Sequence, residues 1–185
     1  LLTRPISDGA AVDALADPLQ AADDLGFVYE TIALCVESLP RDIPLIGFCG
    51  APFTLASYAI EGGGSRQFTR TKSFMYREPE AWHRLLTRLV DALALYLERQ
   101  VAAGASCVQI FDSWVGTLTR RDFIEFVEPH LRRLLDRVPE GIPAIVFGTN
   151  TAHLVDRFAA CGADVVGIDT TTDLAQAWNS CGGAE

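Results

Sequence analysis

A parallel β-sheet packed against helices is the architecture expected of this 185-residue chain, and three features point to it. Four short apolar runs each end at a Gly or an Asp. Segments with helical spacing of apolar residues lie between them. Residues that start or stop helices stand at the junctions.

The elements read in order as follows. An amphipathic helix from about Ala22 to Ser38 comes first, and Leu45-Ile46-Gly47-Phe48-Cys49 is the first buried strand, closed by Gly50. A long connection follows, from Gly50 to Pro79, where βα loops usually take only about 2–6 residues. The next helix opens on Pro79 and Glu80, because proline suits a first helical turn. Its apolar residues Trp82, Leu85, Leu86, Leu89, Val90, Leu93 and Leu97 recur at steps of three and four, and Gly104 ends it. Cys107-Val108-Gln109-Ile110-Phe111 is the second strand. Thr119 is a good N-cap, with Asp122 in the first turn, for a helix whose inner face runs from Phe123 to Val138. Ala144-Ile145-Val146-Phe147 is the third strand, Thr151 to Cys161 a helix stopped by Gly162, and Asp164-Val165-Val166-Gly167-Ile168 the fourth strand. Two architectures fit this βα alternation: a (β/α)8 barrel and an open doubly wound sheet. Four strands cannot close a barrel of eight. The chain therefore reads as one domain over residues 1–185, incomplete at both ends, with its coding region starting upstream of Leu1 because Met75 is the sole methionine.

Composition excludes several classes. Half of the residues are apolar (49%) and 21% are charged, as in a folded globular protein and unlike a disordered one. No apolar run approaches the ~18 residues of a membrane span. The net charge of −9 argues against nucleic-acid binding, which needs a basic footprint. Cys35, Cys49, Cys107, Cys161 and Cys181 are odd in number and make no C-x-x-C, so free buried thiols in a reducing cytoplasm are expected. His83, His130 and His153 fall within predicted helices and read as packing or surface residues.

In βα folds chemistry gathers just past the carboxyl ends of strands. Those positions are Gly50-Ala51-Pro52, Asp112-Ser113-Trp114, Gly148-Thr149-Asn150 and Asp169-Thr170-Thr171, and ordinary turn chemistry is the competing reading of each. The long connection carries Gly62-Gly63-Gly64, a sign of a mobile or closely approached backbone, and lacks the Gly-Lys-Ser/Thr of a phosphate loop. After it come Arg66, Arg70, Lys72 and Arg77, with no acid between Glu61 and Glu78. A solvated helix face is the first reading of these cations, and attraction of a polycarboxylate is the second.

The stretch Gly47-Phe48-Cys49-Gly50-Ala51-Pro52-Phe53-Thr54-Leu55, followed by Tyr58 and Glu61-Gly62-Gly63-Gly64-Ser65, resembles a signature of the uroporphyrinogen decarboxylase family. Further similar blocks are Gly104-Ala105, Gln109 to Gly116, Phe147-Gly148-Thr149 and Gly162 to Asp169, so the resemblance covers nearly the whole chain. It implies a (β/α)8 barrel of which about four βα units are present, in a cytoplasmic homodimer that needs no cofactor. It also implies decarboxylation of the acetate arms of uroporphyrinogen to give coproporphyrinogen and carbon dioxide. By the same resemblance Tyr58, Ser113 and Phe111 line the substrate site; chemically, Tyr58 can orient a carboxylate or a substrate oxygen, Ser113 can bond a side-chain carboxylate, and Phe111 can offer a wall to a pyrrole ring. The arginines and the aspartate that the family places before this region, and the histidine it places after it, have no counterpart here. The isolated chain is therefore expected to be inactive, with no catalytic residue of its own. Asp169-Thr170 stands where the family often has Asp-Trp. Two alternatives remain. One is a zinc-dependent corrinoid or coenzyme M-type methyltransferase of the same superfamily, although Val146-Phe147-Gly148 offers no thiolate or imidazole where those proteins carry a His-x-Cys motif. The other is a non-catalytic binding or dimerisation module.

Overall fold

The four apolar runs form the strands of one parallel sheet in the computed structural model, which describes residues 4–182. Helices α1 (Gly9–Asp13), α2 (Pro18–Asp23) and α3 (Gly26–Ser38) precede β1 (Ile46–Gly50). Helices α4 (Pro52–Glu61), α5 (Thr69–Arg77) and α6 (Pro79–Ala102) lead to β2 (Cys107–Asp112). A 3-10 turn (Val115–Thr117), α7 (Arg120–Phe126) and α8 (Glu128–Leu135) lead to β3 (Ala144–Gly148). Then come α9 (Val155–Ala160), β4 (Val165–Gly167) and α10 (Leu174–Ser180).

The strand order is β1-β2-β3-β4, all parallel. A doubly wound sheet reverses its order at a switch point and carries helices on both faces. Here the order never reverses. Gly47, Cys49, Val108, Ile110, Ala144 and Val146 are buried, while the alternate residues Phe48, Phe111 and Phe147 retain exposure. One face is thus covered and the other is open, as in a portion of a (β/α)8 barrel, and the barrel alternative holds.

Helix α6 dominates the covered face. Trp82, Leu85, Leu86, Val90, Leu93 and Leu97 of the sequence periodicity are buried, while Leu89, placed in the same stripe, is only partly so. Within that apolar stripe Gln100 is also buried. Its side chain accepts from Phe48 N (2.9 Å) and donates to Phe48 O (3.0 Å), so an amide occupies backbone groups of edge strand β1. Gly104 takes φ 112° just past the helix end, as expected of a stop.

Other expectations need correction. The long connection holds two helices, α4 and α5. The helix placed at Ala22–Ser38 is divided around Leu25, and of its second part only Ile32 is buried. The helix from Thr119 is capped as expected, with Thr119 Oγ1 accepting from Asp122 N, but it breaks at Val127. Pro129 explains the break: it lacks an N–H, and its ring would strike the carbonyl one turn earlier. The helix placed at Thr151 begins only at Val155, because Thr151 Oγ1 and Leu154 N make turn bonds to Gly148 O and Thr151 O. His153 therefore lies in a turn, bonded through Nε2 to Leu118 O, whereas His83 and His130 stack between α6 and α8 with Nδ1 and Nε2 2.8 Å apart. The cysteines are all free, but only Cys49 and Cys161 are buried; Cys35 and Cys181 are exposed.

Candidate functional site

The loops after β1 and β2 are joined by a buried polar knot. Ala51 N donates to Phe111 O at 2.7 Å, which sets α4 against the end of β2. One turn into α4, Thr54 Oγ1 donates to Asp112 Oδ1 at 2.8 Å and accepts from Ser113 N at 3.0 Å. The same Asp112 oxygen accepts from Val115 N (3.1 Å) and Trp114 N (3.4 Å). Burial pushes the Asp112 carboxyl up to about 7, against the lowering pull of these bonds. Asp112 points to the helix side of the sheet, like Ile110 two residues before it. It holds the turn in shape and leaves the open face to its neighbours.

The third loop joins the same knot. Thr149 N donates to Asp112 O (3.2 Å), and Thr149 Oγ1 to Ser113 O (2.5 Å). Gly116 lies so close that a Cβ there would meet Thr149 O at 2.2 Å, so no side chain fits. The fourth loop follows ordinary turn chemistry. Asp169 accepts from Asn150 N, Thr171 N and the hydroxyls of Thr171 and Thr172, and these bonds hold its carboxyl down at about 2.

On this scaffold Ser113 sits immediately past β2 with both backbone groups engaged, and its hydroxyl has no hydrogen-bond partner among the described residues. Tyr58 lies one turn beyond Thr54 on α4, is 38% exposed, and packs edge-on against the Trp114 ring, centroids 6.1 Å apart. Its hydroxyl is likewise unbonded among the described residues. Phe111 lies on the open face, in register with Gly50 and Phe147, and meets the rings of Phe48 and Phe147 edge-on at 5.8 Å each. The structure thus puts Tyr58 next to the residue that follows Ser113, and Phe111 two residues before it. Sequence reading did not pick out Thr54 as the link. The signal was a hydroxyl in the first turn of a helix just past a strand end, four residues before Tyr58. Trp114 also packs on Phe68 (5.0 Å), and its buried indole N–H lacks an acceptor among the described residues. No group of three or more His, Cys, Asp or Glu that could hold a metal ion occurs among the described residues.

Sequential parallel βα units in the order β1-β2-β3-β4, with one sheet face covered by helices, define part of a (β/α)8-barrel type of protein. A methyltransferase from Methanosarcina mazei has a similar fold, with TM-score 0.72 over 84% of this chain and 45% of that one; at 20% identity the likeness speaks to fold alone. The family model described as Uroporphyrinogen decarboxylase (URO-D) matches residues 1–184. Proteins named uroporphyrinogen decarboxylase are similar over nearly the whole chain. One from Thermus thermophilus is 46% identical over 94% of this chain and 50% of its own length. The Solibacter usitatus protein is 43% identical over 96% and 51%, and a Bacillus cereus protein 44% over 96% and 51%. The chain belongs to the uroporphyrinogen decarboxylase family, and it spans about half the length of the curated relatives it matches.

Proposed function

We propose that this chain forms one side of the substrate cleft of a uroporphyrinogen decarboxylase, a cofactor-free carboxy-lyase that removes the acetate carboxyls of uroporphyrinogen as carbon dioxide to leave coproporphyrinogen. Family membership supports the reaction class. The observation that carries the local reading is the knot of Thr54, Asp112 and Ser113, which ties helix α4, bearing the unbonded Tyr58 hydroxyl, to the turn bearing the unbonded Ser113 hydroxyl, with the Trp114 ring packed on Tyr58. A phenol and an alcohol can each donate to a carboxylate, and Phe111 can lie against a pyrrole. The Tyr58 and Ser113 hydroxyls hold an arm in place; neither stabilises the cation formed when a pyrrole carbon is protonated before its carboxyl leaves. The arginines, aspartate and histidine that the family uses have no counterpart in these 185 residues. The chain alone therefore binds substrate without turning it over, as a single domain over residues 1–185 that completes its cleft only with the remainder of a barrel. The whole enzyme is a cytoplasmic homodimer in this reading; among the described residues no helix is long and apolar enough to cross a membrane.

The test is anaerobic titration of the chain with uroporphyrinogen. Tyr58→Phe and Ser113→Ala should each weaken binding about tenfold, the loss of one hydrogen bond to a charged group. Unchanged affinity in both variants would discard the site. Formation of coproporphyrinogen by the purified chain would discard the account of its inactivity.

A further inference from the structure

Among the described residues the cations of this acidic chain differ along its length, and those before Arg84, Arg4 and Arg41 included, form no ion pair. From Arg84 onward nearly all are neutralised. Arg84 pairs with Asp13, Arg99 with Asp23, Arg120 with Asp156, and Arg121 with Glu125. Arg133 and Arg137 share Asp91, and Arg132 and Arg157 share Glu128. Arg88 donates to the carbonyls of Leu15 and Ala16. Arg66, Arg70, Lys72 and Arg77 have no carboxylate within ion-pair distance among the described residues. The acids flanking them are committed elsewhere. Glu61 Oε1 accepts from Thr71 N and Oγ1, and Glu78 Oε2 accepts from Gly9 N.

Two of these cations, Arg66 and Lys72, border a shallow depression that is wide open to solvent. Arg66, Gln67, Thr69, Lys72, Ser73 and Thr117 line a hollow of about 540 Å³ with no carboxylate in its wall. An adjoining hollow of about 530 Å³ contains Arg70 and Arg77 but also Glu78, so the first is the one without a competing acid. The first turn of α5 starts beside it at Thr69; the Thr71 N–H is already bonded to Glu61 Oε1, which leaves only the Thr69 and Arg70 N–H groups of that turn without a partner among the described residues. Its far wall belongs to the turn that carries Ser113. Lys72 Nζ donates to Thr117 O (2.8 Å), Thr117 Oγ1 donates to Trp114 O (2.8 Å), and Trp114 packs on Tyr58.

We propose that this hollow is a carboxylate subsite, in which Arg66 and Lys72 hold an acidic arm of a polycarboxylate whose ring lies at Tyr58, Phe111 and Ser113. The identity of the ligand rests on the function proposed above; the capacity of the hollow for a carboxylate does not. Separate probes distinguish the two. Butanetetracarboxylate titrated into the chain at low salt should bind saturably and shift the amide resonances of Thr69, Lys72 and Thr117. Arg66→Gln with Lys72→Gln should weaken it about tenfold, whereas Arg121→Gln, which removes an exposed cation on α7, should leave it within about twofold. Absence of saturation, or equal weakening by Arg121→Gln, overturns the subsite and returns these residues to a solvated helix face. Arg66→Gln alone, at an exposed position, serves if the double variant unfolds. With uroporphyrinogen as the probe, loss of binding in Tyr58→Phe and Ser113→Ala but not in the double variant overturns the subsite while the function stands. Loss of butanetetracarboxylate binding in the double variant, with no uroporphyrinogen binding by any form, upholds the subsite as a carboxylate site and overturns the function.

Discussion

The two faces of the sheet are built from residues of similar apolarity but lead different lives. On the helix side Val108, Ile110 and Val146 are fully buried, and the buried strand-end carboxylate of Asp112 is tied by three donors. On the other side Phe48 is 59% and Val165 48% exposed, and Phe111 and Phe147 touch mainly other rings of the same face. Apolar composition alone does not make a core. The helix side is stabilised by what the chain folds onto it, while the open side leaves aromatic rings partly exposed.

The largest consequence concerns the helix side. Ile110→Ala should cost about 2–5 kcal/mol in urea unfolding, from lost burial plus the cavity left behind. Next is the knot: Thr54→Val should cost about 1–3 kcal/mol, because the Asp112 carboxylate and Ser113 N–H each lose a partner in a buried place, and Thr54→Ser should recover most of it. The charge of Asp112 gives a pH signature. Its carboxyl is raised to about 7 in the fold, so its contribution is fully present below the unfolded value near 4 and is lost as pH rises towards 7. His130, lowered to about 4 by burial and the His83 and Arg133 charges, acts in the opposite sense: its contribution is present above about 6.5 and lost as pH falls to about 4. Between about pH 4 and 6.5 the two slopes oppose. Asp112→Asn should therefore leave a stability that climbs with pH more steeply than in the parent chain, by on the order of 1 kcal/mol per unit, read from denaturation curves across that range. A variant with the parent's slope would show that Asp112 titrates as an ordinary surface acid. The smallest effect belongs to the open face. Phe48→Ala should cost no more than about 1 kcal/mol despite the larger side chain removed. A cost equal to that of Ile110→Ala would erase the distinction between the faces.

Much of this arrangement was legible in the residue order. The four strands, the stripe of α6, its Gly104 stop and the Thr119 cap all stand close to where periodicity and capping placed them, because each depends on residues a few positions apart. The errors have local causes as well. Pro129 is a break signal inside a helical pattern, and the glycines between α4 and α5 mask two helices behind the signature of a loop. Gly62 proves to be the left-handed end of α4, φ 77°, where a Cβ would meet Pro5 at 2.9 Å. The Tyr58, Ser113 and Phe111 set came from the resemblance, since spacing alone does not separate such residues from ordinary turn and core positions.

Sequence patterning was enough to place the strands and the main helix and to exclude a membrane-spanning helix, because burial periodicity and caps are written between near neighbours. It could not show that Asp112 turns inward to Thr54, 58 positions away, or that Lys72 reaches Thr117 across 45, leaving the cations of α5 without acids. Those outcomes depend on which backbones the parallel sheet sets side by side. A side chain finds its partner only after distant strands have aligned and their helices have chosen a face.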